Sequence, residues 1–128
     1  MRKFEEVLKE MDLEYFGTGK HKITSDKLFE KEGSVFLDVR SNEEADSVAF
    51  PLKYQAEYIH IPTDEISVRI LEVPKDRLVG VFCSSGIRAA IVYAFLKVNG
   101  YDDVRIIVGG YEAITSCLKP GQIWKALK

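Results

Sequence analysis

Leu78-Val79-Gly80-Val81-Phe82-Cys83-Ser84-Ser85-Gly86-Ile87-Arg88 passes from a continuous apolar run into a short polar loop. An apolar run of this length is how a strand buried on both faces reads. Residues 86–98 follow as a helix, ended by Asn99-Gly100. Its residues Ala89, Ala90, Ile91, Val92, Tyr93, Ala94, Phe95 and Leu96 are apolar on nearly every side, so most of this helix is expected to be buried. A strand, a tight loop and a helix form the unit of a parallel α/β sheet. The loop stands outside the carboxyl end of its strand, where ligands bind in such sheets.

The flanking sequence repeats the alternation. Val104 to Val108 reads as the next strand, and Gly109-Gly110 turns into a helix around residues 111–118. Pro120-Gly121 precedes a C-terminal turn or short helix, residues 119–128, expected to pack on the same domain. Upstream, Val35-Phe36-Leu37 is a buried strand leading into Asp38-Val39-Arg40, and Ser41-Asn42-Glu43-Glu44 is a capping box that opens a helix. Phe50-Pro51-Leu52 breaks any helix in residues 46–56. Glu57 to Ile61 is a strand ended by Pro62, and Thr63 can cap a helix running to about Val73. Lys22 to Thr24 is a short edge strand, followed by a helix with Ser25 as N-cap and Gly33 as its stop. Phe4, Val7, Leu8 and Met11 recur at helical spacing, which predicts an amphipathic helix near residues 2–13 in an N-terminal extension, residues 1–21. That helix is expected to pack on its own domain, with an oligomer contact as the other reading.

Bulk composition sets the outer limits. The chain has 128 residues, 46% hydrophobic and 30% charged, with 9 Gly and 4 Pro, so disordered and low-complexity classes are excluded. A chain of this size buries about two-thirds of its surface, enough for one core. The longest apolar run, Ala89 to Leu96, is far short of a membrane span. Charges interleave along the chain to a net −2, with no basic block for nucleic acid or an anionic membrane. Two cysteines make no disulfide framework, and a reducing cytoplasmic location is expected. Cys83, Cys117, His21 and His60 are scattered, without the spacing of a metal site, and no cofactor is expected.

The chemistry lies in Cys83 to Arg88. Backbone N–H groups of such a loop converge into an anion nest, and the helix N-terminus adds positive partial charge. A thiol at this place is a nucleophile candidate. Ser84 and Ser85 add small hydroxyls, Gly86 permits a tight backbone, and Arg88 closes the loop with a fixed positive charge. The alternative is a cysteine that serves only as a small buried hydrophobe.

The sequence resembles the rhodanese family of sulfurtransferases over roughly residues 22–118. The resemblance rests on Leu37-Asp38-Val39-Arg40, Ile61-Pro62, the Cys83-to-Arg88 loop, and Val108-Gly109-Gly110-Tyr111. It implies a five-stranded parallel sheet flanked by helices on both faces. It further implies that Cys83 carries sulfane sulfur as a persulfide, from thiosulfate or a polysulfide or persulfide donor to a thiol, cyanide or protein acceptor. Ser84, Ser85, Gly86, Ile87 and Arg88 would cradle the sulfur. Asp38 would support the loop by hydrogen bonding, and Arg40 would make a structural ion pair with Glu43 or Glu44. The chain departs from the family in residues 45–59, which lack the usual Gly-His-Ile-x-Gly-Ala, and in Ile114 where a tryptophan is common. Phosphatases of the related fold and arsenate reductases space cysteine and arginine by five residues. Here Arg88 follows after four, which disfavours phosphate or arsenate chemistry. A binding or sulfur-sensing module without catalysis is a further alternative, and the intact loop weighs against it.

Other candidates are weaker. Gly17-Thr18-Gly19-Lys20 fails as a phosphate loop, because Glu14 stands where the first glycine belongs and His21 follows the lysine. His60 reads as a histidine satisfied by backbone groups more readily than as a catalytic one. Cys117 reads as a core residue, with a resolving thiol as its other role.

Overall fold

The computed structural model describes residues 1–127. Helices α1 (Phe4–Lys9) and α2 (Leu13–Gly17) precede strand β1 (Lys22–Thr24) and helix α3 (Ser25–Glu30). Then follow β2 (Val35–Asp38), α4 (Asn42–Ser47), β3 (Glu57–His60) and α5 (Ile66–Arg69), the last flanked by 3₁₀ turns at residues 63–65 and 70–72. The chain closes with β4 (Val79–Phe82), α6 (Ile87–Val98), β5 (Val104–Val108), α7 (Gly110–Ser116) and α8 (Pro120–Leu127). The five strands form one sheet in the order β1-β5-β4-β2-β3, with every pair parallel.

Strand alternation sorts the core onto two faces. Val35, Leu37, Val79 and Val81 point to one face, where Val92, Tyr93 and Leu96 of α6 and Ile66 of α5 cover them. Phe36, Phe82 and Ile107 point to the other, against Leu28 of α3, Ile114 of α7 and the irregular residues Phe50 and Leu52. Helices on both faces explain why β2 and β4 are buried at every position. Gly80 lets α3 approach β4. A Cβ built there would lie 2.8 Å from Leu28 Cδ2 and 2.9 Å from Ile107 Cγ1. Gly80→Ala is therefore expected to overpack this layer and cost about 1–3 kcal/mol in a urea melt. A loss below 0.5 kcal/mol, roughly the size of a neutral surface change, would contradict that tight approach.

The order of the strands also places the ligand crevice. From β2 the chain moves outward to β3, and from β4 it moves the opposite way to β5. The two connections run on opposite faces, so a crevice opens at the carboxyl ends of β2 and β4. Asp38 and Phe82 are register partners at that edge, and Val39 N–H donates to the Phe82 carbonyl (2.9 Å).

Several local expectations are corrected. The helix expected near residues 2–13 is two helices, because Asp12 caps a new one, its carboxylate accepting from Tyr15 N–H at 2.9 Å. α1 packs on α6, with Val7 buried and Arg2 N–H donating to the Val98 carbonyl. Thr24, one residue before Ser25, is the N-cap of α3. Thr63 caps nothing; its hydroxyl donates to the Val39 carbonyl at 2.8 Å, and the helix expected up to Val73 is a broken α and 3₁₀ segment. Of the turn or short helix expected after Lys119, the structure has the helix, with Pro120 at its first position, where a missing N–H costs nothing. α6 is not buried all round: Ile87 is 68% and Ile91 60% exposed. Its outer side, with Phe4, forms an apolar surface groove of about 560 Å³.

Candidate active site

Cys83 follows the last residue of β4 directly, and α6 begins four residues later. Gly86 makes the turn between them at φ +87°, a left-handed conformation that favours glycine. The turn aims two backbone donors at the thiol sulfur. Gly86 N–H lies 3.0 Å and Ala89 N–H 3.3 Å from Cys83 Sγ. The sulfur thus sits at the N-terminus of a twelve-residue helix, where dipole and free N–H groups favour an anion. Cys83 itself is 3% exposed. Ser84 and Ser85 are exposed at the rim, and the Ile87 side chain points outward into solvent.

Arg88 does not stand free over the sulfur. Its guanidinium meets the Glu44 carboxylate through two parallel bonds, Nη1 to Oε1 at 2.6 Å and Nη2 to Oε2 at 2.9 Å, and Nη2 also donates to Ser84 Oγ at 3.0 Å. Glu44 is held from its other side by the capping box of α4. Its Oε1 accepts from Ser41 N–H (3.1 Å) and Ser41 Oγ–H (2.9 Å), while Glu44 N–H donates to Ser41 Oγ. The Arg88 bond, then the Ser41 bonds, hold the Glu44 carboxyl well below the usual carboxylate range. The same pairing raises Arg88.

The support expected from Asp38 and Arg40 takes a different form. Arg40 pairs with Asp38 instead of Glu43 or Glu44: Nε donates to Oδ1 at 2.9 Å and Nη2 to Oδ2 at 2.7 Å, with both side chains fully buried. Tyr58 O–H donates to the same Asp38 Oδ2 at 2.5 Å. Asp38 is thus committed to Arg40 and Tyr58, and the expected hydrogen bond to the active loop gives way to these. Burial opposes the charge on Arg40, but hydrogen bonds to Asp38 and Tyr111 outweigh it and raise its pKa. The guanidinium is sandwiched among rings, 4.4 Å from the Phe50 centroid and 5.5 Å from those of Phe82 and Tyr111. Phe82 is the residue before Cys83, so this buried pair braces the base of the loop from behind. Tyr58 is missed by the sequence reading, which has Glu44 only as a partner for Arg40 and Tyr111 only within the Val108-to-Tyr111 motif; Phe36, Asp38 and Arg40 at alternate positions are the signal that Asp38 and Arg40 share a side.

His60 Nε2–H donates to the Arg40 carbonyl at 2.8 Å, the backbone role expected of it. Cys117 is buried at the opposite end of the sheet from Cys83. It borders a cleft of about 1030 Å³ with Ser34 and Glu57, at the amino ends of β2 and β3. Burial, then the charge of Asp26, pushes its thiol up. This placement removes the resolving role considered for it.

Comparison with known proteins agrees with this geometry. The model of the Rhodanese-like domain matches residues 24–117. A sulfurtransferase of Allochromatium vinosum is 31% identical over 86 residues, covering 67% of this chain and 76% of that protein. A tRNA sulfurtransferase of Psychromonas ingrahamii is 29% identical over 76 residues, but this chain spans 15% of its length. Among solved structures, a rhodanese-like domain protein from Staphylococcus aureus superposes with a TM-score of 0.59 at 31% identity, over 73% of this chain and 89% of that one. Among the described residues no helix is long and apolar enough to cross a membrane. With the parallel sheet, the loop at its crevice and the matched span all in register, the chain belongs to the rhodanese-like domain family.

Proposed function

We propose that the protein is a sulfurtransferase that carries sulfane sulfur as a persulfide on Cys83. The observation that supports this best is the Cys83 sulfur at the head of α6, accepting N–H bonds from Gly86 and Ala89. An anionic sulfur is stabilised there without a partner histidine, since His60 is engaged with the Arg40 carbonyl. In the first half-reaction the Cys83 thiolate attacks the outer sulfur of a donor. The donor S–S bond breaks, its electron pair leaves with a thiolate or, from thiosulfate, with sulfite, and Cys83 keeps the outer sulfur. In the second, a thiolate or cyanide attacks that outer sulfur, and Cys83 departs as thiolate. Cys83 is thus the nucleophile of the first step and the leaving group of the second, and the protein ends each cycle unchanged.

The donors in this reading are thiosulfate, polysulfides or persulfides, and the acceptors a thiol, cyanide or a protein thiol in the cytoplasm. Ser84, Ser85 and Gly86 form the cradle, Arg88 closes it, and Asp38 with Arg40 holds its base. Wild type, Cys83→Ser and Cys117→Ser should be incubated with thiosulfate and with polysulfide, then weighed intact. One added sulfur, removed by a thiol reductant, is expected on wild type and Cys117→Ser only. Loading and turnover that persist in Cys83→Ser would overturn the assignment.

A further inference from the structure

The only guanidinium of the active loop, Arg88, is already occupied by a carboxylate. Both Glu44 oxygens face it, and the Ser41 cap fixes those oxygens in place. A bidentate guanidinium–carboxylate pair saturates the fork that would otherwise receive a sulfonate. An incoming anion must therefore displace a tethered competitor present at high effective concentration. It must also approach a thiolate beside an ion pair whose net charge is zero. What remains for the donor is the pair of N–H groups on Cys83 Sγ, exposed Ser84 and Ser85, and the apolar side chain of Ile87.

We propose that Glu44 is a specificity-determining residue: by holding Arg88 it disfavours dianionic donors such as thiosulfate and selects persulfides, whose leaving group is a single thiolate. This deepens the sulfurtransferase reading and rests on it. With a persulfide R–S–SH, the Cys83 thiolate takes the outer sulfur with its proton, the S–S bond breaks, and RS⁻ leaves; charge and atoms balance without further reactants. With thiosulfate the leaving group is the sulfite dianion, which needs a free cation at the mouth. The exposed apolar side chain of Ile87 suits the carbon-bearing tail of a persulfide better than a sulfonate.

The test is the ratio of kcat/KM for thiosulfate to kcat/KM for the persulfide of N-acetylcysteine methyl ester, which carries no other charge. Glu44→Gln keeps the capping-box position, where Gln also serves, and removes the charge. It should raise the ratio at least about tenfold, because the charge that neutralises Arg88 and competes for its fork is removed. Glu44→Asp, which keeps the charge, should leave the preference for persulfide in place. A ratio does not depend on how much of each preparation is folded. Added salt gives an independent reading: thiosulfate turnover by wild type should rise with ionic strength and that by Glu44→Gln should fall. An unchanged ratio in Glu44→Gln, or wild-type thiosulfate turnover that falls with salt, overturns the proposal. Failure of the sulfurtransferase reading itself looks different: Cys83 then gains no sulfur mass from either donor.

Discussion

Asp38→Ala is expected to lower the unfolding free energy by about 3–5 kcal/mol, because removing one partner leaves a buried charge uncompensated. For a domain of this size that is a fall in melting temperature on the order of 10–25 °C. The cause is specific. Arg40 is fully buried, and its Nε and Nη2 have no water to turn to when the Asp38 carboxylate is lost. Tyr58 O–H loses its acceptor in the same step. The rings of Phe50, Phe82 and Tyr111 offer the cation some attraction, but much less than an ion pair with two hydrogen bonds. Arg40→Met should also destabilise, yet Asp38→Ala combined with Arg40→Met should cost clearly less than the two separately. Urea unfolding of the four proteins measures the coupling. A loss under 1 kcal/mol in Asp38→Ala, a value about that of an exposed pair, would show that the buried pair does not hold the loop base.

Much of this architecture is legible in the chain because it is set by short-range patterns. Val35-Phe36-Leu37 and Leu78 to Phe82 are apolar without interruption, Val104 to Val108 is broken only by Arg105, and they are β2, β4 and β5 to within one residue. Ser41 and Glu44 carry a capping box, and the structure has both of its reciprocal bonds. The misplaced features each depend on something a local pattern does not contain. The resemblance implies a pair of Arg40 with Glu43 or Glu44, its near neighbours in sequence. The strand period of two puts Asp38 on the same side as Arg40, and that side is the aromatic face. Glu44 meets Arg88 across 44 positions, a distance that only the β2–β4 crevice closes. The apolar pattern of α6 reads as burial of most of the helix, but α1 covers only part of its outer side and leaves Ile91 in solvent. Residues 46–56 gave no periodicity because Phe50 and Leu52 enter the core from an irregular segment.

Inserting one glycine after Gly86 should reduce sulfur transfer by about a hundredfold or more, the range seen when an oriented donor is taken from an anion site. The geometry is demanding at this point. Gly86 at φ +87° is the last residue before α6, and the helix it starts places Ala89 N–H on Cys83 Sγ at 3.3 Å. The Gly86 donor lies on the other side of the turn at 3.0 Å. An added residue widens the arc between these donors, so the sulfur keeps at most one of them. A widened nest would also have room for a tetrahedral oxyanion, which the present four-residue spacing between Cys83 and Arg88 disfavours. The fold should tolerate the change, because Ser84 and Ser85 are exposed and carry little of the core. Transfer to cyanide, aryl phosphate hydrolysis and a thermal melt measured on one preparation separate these effects. Wild-type transfer rates in the insertion variant would mean that the two N–H bonds to sulfur are not what activates it. Aryl phosphate hydrolysis by the unmodified protein, lost in Cys83→Ser and unaccompanied by sulfur transfer, would place the loop among the phosphatases despite its length.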